Sequence, residues 1–108
     1  MTLDEYQAAA ARTMNPRLSE RDVLLDAAAG LAEESGEILG LVRKHAFQSR
    51  PYSRDELRAE LGDALWCLAV AARGAGFSLE EVAAGNVEKL RARHPNGFAD
   101  RADVERGA

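Results

Sequence analysis

The chain has 108 residues, 46% of them hydrophobic and 30% charged, with a formal net charge of −4. These totals describe one soluble globular domain; they exclude a disordered chain and argue against a duplex-binding surface, which would be basic. No run approaches the ~18 apolar residues of a membrane span, MTLDEYQ at the N-terminus is acidic where a targeting peptide would be basic, and the lone Cys67 supports no disulfide framework, so the cytoplasm is the expected compartment, with neither membrane nor nucleic acid as partner.

Four helices are predicted in chain order. Thr2 and Glu5, a hydroxyl residue followed three places later by Glu, form a capping-box signature opening a first helix. It runs to about Met14, where Asn15 and Pro16 end it. Ser19 and Asp22 make a weaker box and open a long second helix to about Phe47. Ser53 and Glu56 open a third, reaching about Arg73 and closed by Gly74 and Gly76. Ser78 and Glu81 start a fourth, which stops at His94 before Pro95, Asn96 and Gly97. No segment alternates with period two, so no strand is predicted. The fold expected is an all-α, four-helix bundle in a single domain over 1–98, with 99–108 as a loose tail.

Only 6% of residues are aromatic, and much of the apolar content is alanine. Small side chains bury little area each, at about 25 cal/mol per Å², so a homo-oligomer is expected to complete the core. Gly36 and Gly40, one turn apart inside the second helix, suggest a place where another backbone comes close.

The segment LAEESGEILG, residues 31–40, carries Glu33, Glu34 and Glu37 with no basic residue among them. Glu34 and Glu37 are i and i+3, on one helical face, and Glu33 lies one turn before Glu37. The third helix repeats the device with Glu60 and Asp63, flanked by Leu57, Leu61, Ala64, Leu65 and Leu68. Carboxylates on a buried face must be paired, protonated or metal-bound, and basic partners at i±3 or i±4 are sparse. If the two helices pack antiparallel, Glu34, Glu37, Glu60 and Asp63 converge, and four carboxylates suit a hard divalent cation, Mg²⁺ or Mn²⁺. Di-iron bundles use Glu-x-x-His on two helices, which His45 and His94 do not complete, and zinc wants more His or Cys. The same spacing also fits a solvated acidic face.

The pattern E-E-x-x-E at Glu33, Glu34 and Glu37, followed by E-x-x-D at Glu60 and Asp63, resembles the MazG-like all-α nucleoside triphosphate pyrophosphohydrolases. The likeness extends over about residues 20–98, including ELGDALWCLAVAARGAGFSLEEVAAGNVEKLRARHPNGF at 60–98. The resemblance implies Mg²⁺-dependent hydrolysis between the α- and β-phosphates of a nucleotide, giving monophosphate and pyrophosphate, and at least a dimer. Carried over by position, Glu34, Glu37, Glu60 and Asp63 hold the metal, and Glu33 orients or deprotonates the attacking water. Asn86 and Lys89 match the family's N-x-x-K phosphate-contacting pattern, with Arg93 one turn on; they equally form the basic end of a helix, favoured by its dipole. Lys44 lies two turns beyond Glu37 on the same face, within reach of substrate or simply exposed. Trp66, three residues after Asp63, either flanks a base pocket or belongs to the core. Cys67 reads as core. The expected role is house-cleaning of the nucleotide pool. The alternatives are a dedicated dUTP or dCTP pyrophosphatase of the same family and a non-catalytic helical interaction module.

Overall fold

A computed structural model describes residues 1–51 and 53–98; the tail expected at 99–108 lies outside them. The described residues form four helices and no strand: α1 (Leu3–Ala11), α2 (Glu20–Gln48), α3 (Arg54–Gly74) and α4 (Leu79–Arg93). Each begins where a side-chain oxygen accepts from an otherwise orphaned backbone N–H. Thr2 accepts from Glu5, Ser19 from Asp22, Ser53 from Glu56 and Ser78 from Glu81, at 3.1–3.2 Å. Only at α4 is the box reciprocal, with the Ser78 N–H donating to the Glu81 carboxylate at 2.9 Å.

The first helix ends three residues before the expected Met14. Thr13 explains the difference: its hydroxyl donates to the Ala10 carbonyl at 2.7 Å and accepts from the Trp66 indole N–H at 2.8 Å. A local sequence reading has no access to a partner 53 residues away. The close of α3 follows the glycines. Gly76 takes φ +84°, and the Phe77 N–H reaches back to the Ala72 carbonyl at 2.8 Å, the left-handed ending that favours glycine.

The α2–α3 pair is the most extensive in the fold; α1 packs on α3 and α4, α4 on α3, and α2 on α3 alone. The chain by itself therefore leaves the four-helix bundle open. Its core is two small clusters, Ala10, Ala69 and Leu79 in one, and Val23, Ala27 and Val70 in the other, with Trp66 packed against both. Gln7 ties three elements together from within. Its amide donates to the carbonyls of Ala69 and Phe77 and accepts from the Leu79 N–H, at 3.0–3.1 Å.

Where two helices do press together, the glycines are not the ones the sequence suggested. A Cβ on Gly36 or Gly40 would meet nothing within 4 Å among the described residues. On Gly30 it would stand 3.1 Å from the Cys67 sulfur, and on Gly74 3.1 Å from Val23 and 3.3 Å from the Leu24 backbone nitrogen. No helix among the described residues is long and apolar enough to cross a membrane.

Candidate metal centre

The contacts between α2 and α3 keep step along the seam. Val23 stands beside Gly74, Gly30 beside Cys67 and Glu37 beside Glu60, so seven residues forward on α2 match seven back on α3. That is the heptad spacing of two antiparallel helices sharing one seam. The lower half of the seam is small and apolar: Val23, Ala27 and Gly30 against Gly74, Val70 and Cys67. Its upper half is acidic. Glu34 and Glu37 occupy the next seam positions of α2, and Asp63 and Glu60 those of α3. Of these acids Glu34 and Glu60 are half-buried, whereas Glu37 and Asp63 are exposed.

Oxygens of Glu34, Glu37 and Glu60 all lie within 4.8 Å of one another. One oxygen of Glu34 and one of Glu60 are buried with no hydrogen-bond partner. Two carboxylates cannot donate to each other, so only a shared proton or a cation makes such proximity favourable. The titration behaviour follows. The carboxyl of Glu37 is raised above its usual 4.5 by its hydrogen bond with Glu60 and that residue's charge, then by burial and by Asp63. Glu60 is also raised, first by its hydrogen bond with Glu34, then by burial and the charges of Glu34 and Asp63; its bond with Glu37 acts in the opposite sense.

Asp63 stands outside the close triad. It lines, with Glu33 and Glu34, a cleft of about 360 Å³ between the two helices, which continues to Asp26 and Trp66. Glu33 is exposed on the wall beside Glu34. The Cys67 thiol is pushed up by burial and by Glu34, Asp63, Asp26 and Glu33 in turn, so it is held as the neutral thiol and core reading suits it. No Lys or Arg lines the cleft, and the ion pairs among the described residues, Arg21 with Asp22 and Arg58 with Asp55, are exposed and elsewhere. The metal-binding chemistry available is all-oxygen, anionic and partly dry, the donor set of a hard divalent cation.

The remaining sequence candidates are not gathered in. Lys44 lies two turns beyond Glu37 on the same side of α2, past Leu41, and is exposed. Asn86, Lys89 and Arg93 are exposed on α4, which makes no packing contact with α2; none of the three lines the cleft. Trp66 does line it; its N–H is committed to Thr13, and its ring, half-buried, packs against both core clusters on the side away from the cleft's opening. Sequence reading missed two groups. Asp26 shares the cleft, and the stripe Asp26, Gly30, Glu33 and Glu37 on one face of α2 carried that signal. Tyr6 feels the charge of Asp63 across the fold, and no local pattern announced it.

The profile of the MazG nucleotide pyrophosphohydrolase domain matches residues 24–98, a span containing every acid and α4 candidate named above. Among curated proteins, the Gene 37 protein of Mycobacterium phage L5 is 34% identical over 105 residues, covering 90% of this chain and 92% of that protein. No solved structure matches the chain.

Proposed function

The chain belongs to the MazG nucleotide pyrophosphohydrolase family, and from that membership we propose that it hydrolyses nucleoside triphosphates between the α- and β-phosphates, using Mg²⁺, to monophosphate and pyrophosphate. The observation that carries the reading is the pair of buried, partnerless oxygens on Glu34 and Glu60 inside a three-carboxylate cluster. Glu34, Glu37 and Glu60 would hold the ion, with Asp63 completing the set from the cleft wall; Mn²⁺ is a chemically acceptable substitute. When bound, the ion supplies Lewis acidity, offsets phosphate charge and lowers the pKa of coordinated water.

The chain's own groups do the rest. Glu33, exposed beside Glu34, accepts a proton from the attacking water and orients it towards the α-phosphorus. Asp63 and Glu34 exclude other anions from the cleft, so a polyphosphate enters only with its countercharge. Asn86, Lys89 and Arg93 serve as phosphate contacts, with Lys44 at the open end of the seam. Because α4 does not meet α2 within one chain, we assign their delivery to assembly. A second copy would place an α4 against an acidic cleft and close the bundle. The biological role that fits is control of the nucleotide pool.

A chromatographic panel of nucleoside triphosphates with Mg²⁺ tests this. Monophosphate and pyrophosphate in equal amounts are expected; diphosphate and orthophosphate as first products would reject the assignment.

A further inference from the structure

The cleft runs well past the carboxylate triad, and its far end has a different chemistry. Asp26 precedes Glu34 by eight residues on the same helix, about 12 Å along its axis, and both line the one cavity of about 360 Å³. Between them Gly30 has no side chain, and the Cys67 sulfur stands 3.1 Å from where its Cβ would be, so Gly30 and Cys67 together floor that stretch of the cleft. Trp66 forms the opposite wall from α3. Its indole N–H is spent on Thr13 at 2.8 Å, so what it offers the cavity is aromatic surface, suited to stacking on a flat ring.

Asp26 is exposed and has no hydrogen bond or ion pair among the described residues. A carboxylate accepts and does not donate, and its two oxygens match two parallel N–H donors. Among the common bases, guanine alone presents two adjacent donors on one edge, the ring N1–H and the C2 amino group. Adenine and cytosine set one amino group beside a ring acceptor, and uracil and thymine flank a single N–H with two carbonyls that a carboxylate repels. We propose that Asp26 selects the base, and that the cleft takes guanine nucleotides, with the ring against Trp66 and the phosphates towards Glu34. This rests on the reading above for where the phosphates lie, and it adds the residue and the base.

Trp66 is the single tryptophan of the chain, so its fluorescence reports this cavity. The probes are the α,β-imido triphosphates of guanosine, inosine and xanthosine with Mg²⁺, which resist cleavage at the bond in question. Wild type should bind the guanosine analogue about 10- to 100-fold more tightly than the inosine analogue, which lacks only the amino group. Asp26→Asn exchanges one acceptor for a donor without changing shape, and should invert the order in favour of xanthosine, which carries a carbonyl at C2. Equal affinity of wild type for guanosine and inosine analogues would overturn the proposal. So would an Asp26→Asn protein that weakens for all three alike and needs more Mg²⁺, the behaviour of a metal ligand. A wild type that ranks the bases as expected yet releases no pyrophosphate from GTP would sink the hydrolase reading and leave the role of Asp26 standing.

Discussion

Glu60 reaches across the seam to Glu34 and Glu37, and in the absence of metal it is the centre of the repulsion there. Replacing it with Gln removes one charge and keeps the shape. Glu60→Gln should melt no lower than wild type in EDTA and should lose most of the rise in melting temperature that Mg²⁺ gives wild type. For scale, a ligand that binds only the folded form at one hundred times its Kd stabilises by about 2.7 kcal/mol. A merely structural glutamate would instead lower the melting point with or without metal. A pH dependence follows from the same pair. The carboxyls of Glu37 and Glu60 are raised in the folded state, so the folded form binds protons more tightly than the unfolded chain. Their contribution is therefore full below the ordinary value near 4.5 and is lost as pH rises through the raised values. Metal-free wild type should gain melting temperature when acidified from neutrality towards 4.5, and Glu60→Gln should gain less; a wild type that only loses stability over that window would contradict the clustered geometry. Much of this was legible in the sequence, because the spacing of Glu34 to Glu37 and of Glu60 to Asp63 fixes a shared face. Which three of the four acids converge was not, since that depends on the register between two helices. Thr13 and Tyr6 were invisible for the same reason, as their partners lie on other elements.

The helices themselves were readable from their caps, because a hydroxyl at each start satisfies local N–H groups whatever the tertiary fold. Their packing was harder to read. Gly36 and Gly40 have helical spacing and open space, whereas Gly30 and Gly74 sit in the α2–α3 seam against Cys67 and Val23 and are tightly flanked. Gly74→Ala should therefore destabilise the chain by about 1–3 kcal/mol in urea unfolding, because the backbone of Leu24 cannot yield as a side chain can. An unchanged or higher midpoint would mean that the two helices are less closely apposed. Gln7 offers a second test at this scale. Gln7→Leu leaves the carbonyls of Ala69 and Phe77 and the N–H of Leu79 without their partner, and should cost about 2–4 kcal/mol. A loss below about 1 kcal/mol would show that water replaces those bonds freely.

At the scale of the molecule, the described residues leave large apolar side chains uncovered, the kind of surface that an interface between copies covers. Leu61, Leu65 and Leu68 form an exposed stripe on α3 at four- and three-residue spacing, and Leu39 on α2 is 66% exposed. Light scattering should report a multiple of 11.7 kDa, and Leu65→Glu should reduce it towards one chain while leaving the helical circular dichroism in place. A wild-type monomer at micromolar concentration would remove the route proposed for bringing α4 to the cleft. The alanine-rich composition was the ground for expecting a second copy; which leucines stay exposed could not be read before the helices were placed.

The central claim is that water, oriented beside the acidic centre, attacks the α-phosphorus of a nucleoside triphosphate. Hydrolysis in ¹⁸O-labelled water with Mg²⁺, followed by mass analysis of both products, tests it most directly. One ¹⁸O should appear in the nucleoside monophosphate and none in the pyrophosphate, with no turnover in Glu60→Gln. Label in the pyrophosphate would place the attack on the β-phosphorus, and undiminished turnover by Glu60→Gln would remove the acidic centre from the reaction; either result contradicts the account.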